Sequence, residues 1–160
     1  MMKRTIAITA AMTAAFLAGC SGSVAPSGAF LTLNVSAREI TVKTSVNGKA
    51  NDFLSGGASG DLVASAPLNN ALHEGENEIV FILKKSESVS GAFEPSFNAA
   101  LELAGGGEIV DTTAPNARVI FTRDLHEEEA ASLDADEEVT ISEKFELSRE
   151  KLKAMAKKAP

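Results

Sequence analysis

The sequence predicts an all-β fold: a sandwich of about seven short antiparallel strands, followed by a short C-terminal helix. Three observations point there. Apolar residues recur at every second position over short stretches, as a strand with one buried face requires. Turn-forming Gly, Asn, Asp and Pro separate those stretches at intervals of about ten residues, the spacing of sandwich strands. Only two segments carry helical spacing instead.

The elements follow in order. Residues 30–35 (FLTLNV) and 38–46 (REITVKTSV) are β-rich. In the second, Ile40, Val42 and Val46 share one face while Glu39, Thr41, Lys43 and Ser45 take the other, so one side is core and the other wet. Asn47-Gly48 follows at once, and both residues tolerate the positive φ angles of a tight hairpin turn. A glycine-rich loop at 55–60 (SGGASG) leads to a short strand at 61–65, and Glu74-Gly75-Glu76-Asn77 makes another turn. Residues 78–83 (EIVFIL) are apolar on both faces, which predicts a central strand covered on two sides. Further strands are expected at 97–103, with Phe97, Ala99, Leu101 and Leu103 inward, at 118–122 and at 139–147. A short helix is expected from a cap at Asp124 through Leu133. A last helix is expected from a cap at Ser148, with Leu147 and Leu152 as a hydrophobic staple and a narrow stripe of Leu152, Met155, Ala156 and Ala159.

The N-terminal stretch has a different character. Met1-Met2-Lys3-Arg4 is a basic start, and residues 6–17 (IAITAAMTAAFL) form an apolar core too short to span a bilayer, which takes roughly 20 residues. Leu17-Ala18-Gly19-Cys20 closes that core, and residues 20–28 (CSGSVAPSG) read as a Gly/Ser/Pro tether. The combination resembles the lipobox of bacterial lipoproteins. That resemblance implies a diacylglyceryl group on the Cys20 thiol, removal of residues 1–19 as a signal peptide, and acylation of the new Cys20 amine. Two or more acyl chains hold a water-soluble body at a membrane, where one chain binds only marginally. Ser21, where an inner-membrane retention signal would be Asp, implies the outer membrane, facing the periplasm. Cys20 is the only cysteine, so no internal disulfide can form.

The chain therefore divides into a signal peptide (1–19), a tether (20–28), a sandwich domain (29–147) and a basic C-terminal helix (148–160). Losing residues 1–19 takes Lys3 and Arg4 away, so the formal charge moves from −7 to −9. Nucleic acid is a poor partner for such a chain, because its phosphates demand Lys and Arg. The charge is uneven: Arg149, Lys151, Lys153, Lys157 and Lys158 crowd the last helix against Glu150 alone.

Three pieces of the domain occur in a familiar order: Val46-Asn47-Gly48-Lys49, then residues 72–81 (LHEGENEIVF), then Asp111-Thr112-Thr113-Ala114-Pro115. They are similar to the turn motifs of bacterial immunoglobulin-like domains, a family of surface and envelope β-sandwiches; galactose-binding-like sandwiches share the first two. The loop that the family carries before its last strand is replaced here by residues 84–91 (KKSESVSG).

Chemistry is sparse. The histidines are His73 and His126, and no nucleophile-elbow, zinc-helix or phosphate-loop pattern is present, so no catalytic residues are expected. Residues 124–138 (DLHEEEAASLDADEE) carry eight carboxylates. They are either a solvated face or a calcium site, with Asp134, Asp136, Glu137 and Glu138 supplying the oxygens. The last helix packs on the sandwich, docks on the acidic run or touches an anionic lipid surface. The chain has neither Trp nor Tyr, the usual platforms for sugar stacking, which weighs against sugar binding other than in a polar cleft; loops 51–60 and 86–94 are where such a ligand is expected. The expected function is a lipid-anchored, non-catalytic binding or scaffold module for another envelope protein or the cell wall. The alternative is a calcium- or carbohydrate-binding module.

Overall fold

Alternation becomes pairing in the computed structural model of the chain, which describes residues 29–58, 60–105 and 118–150, the side chains of 29, 30, 104, 105 and 118 excepted. Cys20, the expected signal peptide and tether, the 111–115 motif and residues 151–160 of the expected last helix lie outside the described residues.

The strands are β1 (Ala29–Arg38), β2 (Ile40–Val46), β3 (Lys49–Ala50), β4 (Leu62–Pro67), β5 (Gly75–Lys85), β6 (Ser96–Gly105), β7 (Arg118–Asp124) and β8 (Val139–Leu147), with helix α1 (Glu127–Asp134) joining the last two. They form two antiparallel four-stranded sheets, ordered β4-β1-β6-β7 and β3-β2-β5-β8. This is the all-β sandwich that the alternation predicts, with eight strands where the sequence suggests about seven. The added one is the two-residue β3, the far arm of the Asn47-Gly48 hairpin. Asn47 (φ 49°) and Gly48 (φ 75°) both sit in the left-handed region that such a two-residue turn requires.

The core lies between the inward rows. Leu31, Leu33 and Val35 of β1 face Ile79, Phe81 and Leu83 of β5, all at most 2 % exposed. Phe81 meets Phe97 edge to face, centroids 5.2 Å apart, an arrangement that adds to the burial of both rings. Phe97, Ala99, Leu101 and Leu103 are all buried, as β6's alternation predicts.

Three expectations need correction. Residues 38–46 are not one strand: at Glu39 (φ 61°) the chain turns a corner and changes sheet, so Arg38 ends β1 and Ile40 opens β2. The corner is held where Glu39 O accepts from Ser86 N–H (2.9 Å) and Glu39 Oε2 accepts from Glu94 N–H (2.6 Å). Strand β5 is central, but its outer face is only half-buried. Val80 lies between Ser45 and Ser142 across the sheet, and Ile82 between Lys43 and Thr140. Asp124 does not cap α1. It ends β7, where its carboxylate accepts from Asn98 Nδ2 (2.8 Å), and the helix starts after His126, whose N–H donates to Glu129 Oε2 (2.8 Å).

The strands run between two poles. The entry pole gathers the start of β1, the Asn47-Gly48 turn, the 68–75 loop and the end of β8. The loop pole gathers the Glu39 corner, loops 55–61 and 86–95, and α1.

Candidate functional site

At the loop pole the segments singled out in the sequence come together. Ser86, 3 % exposed, places its Oγ 3.1 Å from Gly57 O, 3.2 Å from Ala58 O and 2.8 Å from Ser88 Oγ, joining loop 51–60 to loop 86–94. Only glycine fits at position 57. Its φ is +93°, and a Cβ there would stand 2.2 Å from Ile40 O. The loop is further fixed by Asn51, whose Oδ1 accepts from Leu54 N–H (3.2 Å), and by Thr44, whose Oγ1 donates to Leu54 O (2.6 Å). Leu54 is thereby driven fully into the core, while its neighbour Phe53 is left 70 % exposed.

Loop 86–94 in turn meets the acidic run. Lys85 lies 4.6 Å above the Phe93 ring and 3.2 Å from Asp134, and Arg38 pairs with Glu94 (3.5 Å). Such exposed pairs are worth only about 0–1 kcal/mol, so they orient side chains more than they stabilise the pole. Arg123 is different. Its side chain, 13 % exposed, pairs with Glu129 of α1 and, at 3.2 Å, with Glu143 of β8. One guanidinium from the first sheet thus ties down the helix and the edge of the second. Sequence reasoning missed it, because the strand was expected to stop at Thr122. Carrying the inward alternation of Phe121 two residues further would have found it.

The four residues proposed for calcium do not form a cage. Asp134 is taken up by Lys85, and Asp136, Glu137 and Glu138 are exposed after the helix end, Asp136 at φ 60°. Among the described residues, no three His, Cys, Asp or Glu side chains are grouped so as to hold a metal ion. His126 is exposed at the start of α1.

The entry pole explains two of the motifs. Asn77, 1 % exposed, accepts at Oδ1 from His73 N–H (3.0 Å) and Asn47 Nδ2 (3.0 Å), and donates from Nδ2 to His73 O (2.8 Å) and Gly75 O (3.0 Å). Asn47 also donates to Ala71 O (2.9 Å) and accepts from Glu78 N–H (2.9 Å). The asparagines of the first two familiar pieces therefore bond to each other and lock the 68–77 loop onto the β2–β3 hairpin. His73 itself is an exposed turn residue, its Nδ1 3.1 Å from Glu74 O. An open hollow of about 400 Å³ near this pole is lined by Glu76, Lys144, Phe145 and Glu146. No described helix is long and apolar enough to cross a membrane.

No protein family, no curated protein and no solved structure matches the chain. The class that the fold defines is an all-β sandwich whose candidate site is its loop pole.

Proposed function

We propose that the chain is a bacterial lipoprotein, acylated on Cys20, and that its sandwich is a non-catalytic binding or scaffold module of the cell envelope, in the outer membrane facing the periplasm. The observation that carries this reading is Leu17-Ala18-Gly19-Cys20 at the end of a basic-then-apolar leader and before a flexible polar tether. The organisation of the domain supports it. Sandwich loops carry binding because strands hold them rigidly, and three loop segments are knit together at one pole. The meeting of Asn47 and Asn77 supports the resemblance to bacterial immunoglobulin-like domains, since it gives both turn motifs one structural role.

Cys20→Ala tests the anchor. The variant should accumulate as uncleaved, unacylated precursor, read by intact mass and by metabolic labelling with a fatty acid. Normal processing with continued acylation refutes the reading. The module is tested by crosslinking in living cells from exposed positions of loop 86–94: a discrete envelope adduct is expected, and turnover of a substrate by the purified domain refutes the non-catalytic assignment.

A further inference from the structure

Asn47-Gly48 is the only Asn-Gly pair in the chain. In such a pair the backbone nitrogen after the asparagine has no side chain beside it, and it can attack the asparagine's own amide carbon. Once that nitrogen gives its proton to a base, the bond from Gly48 N to Asn47 Cγ forms, the bond from Cγ to Nδ2 breaks, and Nδ2 leaves as ammonia. Water then opens the five-membered imide. Breaking the new bond leaves aspartate at position 47; breaking the peptide bond between Asn47 and Gly48 leaves isoaspartate, with the chain rerouted through Cγ.

The turn exposes the nucleophile, and the neighbouring loop holds the electrophile away from it. Gly48 is exposed, at φ +75° and with open space where a Cβ would stand, so water and base reach its nitrogen. The amide of Asn47 is tied down instead. Its Nδ2, the leaving group, donates to Ala71 O (2.9 Å) and Asn77 Oδ1 (3.0 Å), while its Oδ1 accepts from Glu78 N–H (2.9 Å). Turning Cγ onto the nitrogen of its own turn breaks these bonds. Asn77 cannot follow the amide as it turns, because it is 1 % exposed and bonded to His73 and Gly75.

We propose that Asn47 is a modification site, converted by water to aspartate and isoaspartate, which the contact between Asn47 and Asn77 keeps closed while the 68–77 loop is seated. The chemistry is slow beside reclosing, so its rate follows the fraction of molecules in which the loop has opened. The change does not reverse. Aspartate lacks the donor and sets a carboxylate against Ala71 O and Asn77 Oδ1, both acceptors. Isoaspartate adds a methylene to the backbone of a two-residue turn whose flanks, Val46 and Lys49, pair directly. Either product removes bonds that seat the loop, so the site records opening of the entry pole and then holds it loose.

The purified full-length protein is incubated folded and in urea, and conversion at position 47 is read by peptide mass and by enzymatic methylation of isoaspartate. Conversion in urea should be at least about tenfold faster than in the folded protein, since it tracks the open population. Gly48→Ala should suppress it in urea, because a β-carbon hinders the attacking nitrogen. Asn77→Ala, shown to be folded by circular dichroism, should convert several-fold faster than the unaltered protein. Should that variant fail to fold, the unaltered protein in urea below its transition serves, where conversion should rise ahead of the unfolded fraction. No conversion in urea, or equal rates folded and unfolded, overturns the site. An unchanged rate in folded Asn77→Ala, or conversion that merely follows the unfolded fraction, overturns its control by the loop.

Discussion

Asn77→Ala should be among the most damaging polar substitutions in the domain. The side chain is 1 % exposed and makes four hydrogen bonds, to His73 N–H, His73 O, Gly75 O and Asn47 Nδ2. At about 1 kcal/mol net for each bond, complete loss would cost about 4 kcal/mol, and no alanine atom replaces any of them. Some groups recover partners: His73 and Gly75 are at or near the surface, so water can reach their backbone, and Asn47 keeps Ala71 O. The expected destabilisation is therefore about 3 kcal/mol, or a Tm lower by about 10 °C for a domain of this size. Equilibrium urea unfolding measures it, with the m-value checked for constancy. A cycle with Asn47→Gly, which keeps the left-handed turn and removes the amide, should show a coupling of about 1 kcal/mol for the shared bond. A change below about 0.5 kcal/mol for Asn77→Ala would mean that the lock contributes nothing beyond an ordinary surface contact.

Other substitutions probe other parts of the same structure. Gly57→Ala forces a Cβ against Ile40 O at φ +93° and should cost at least about 3 kcal/mol, whereas Gly48→Ala, with nothing within 4 Å, should cost only the left-handed strain of about 1 kcal/mol; thermal melts of the pair decide it. Arg123→Ala leaves Glu129 and Glu143 without their shared cation and should destabilise by about 2–3 kcal/mol, while Arg123→Met, which keeps the packing, should lose less. Phe81→Ala removes a fully buried ring and its edge-to-face contact with Phe97, for about 3–5 kcal/mol in denaturant unfolding.

The parts of the fold that follow from alternation were legible in the sequence: the buried rows of β2 and β6 fall where period two puts them. The sheet change at Glu39 was not legible, because a corner of one residue leaves the surrounding alternation undisturbed; it is the hydrogen bonds from Ser86 and Glu94, far along the chain, that hold it. Asn47 and Asn77 were recognisable as turn formers, but their bond spans 30 positions and exists only because β2 pairs with β5. The cap of α1 was misplaced because Asp is the better capping residue by type, while Asp124 is held in the strand ladder by Asn98. Of the candidate site, composition located the loops and the acidic run, and pairing alone brought them to one pole. The Lys85–Asp134 contact, absent from any local pattern, could not be read in advance.

The most direct test of the lipoprotein reading is the intact mass of the native protein recovered from its own cells, together with the fraction in which it is found. The expected result is a chain that begins at Cys20, heavier than its sequence by a diacylglyceryl group and an amide-linked acyl chain, in the membrane fraction. A chain that keeps residues 1–19, or one with an unmodified Cys20 thiol in the aqueous fraction, contradicts it.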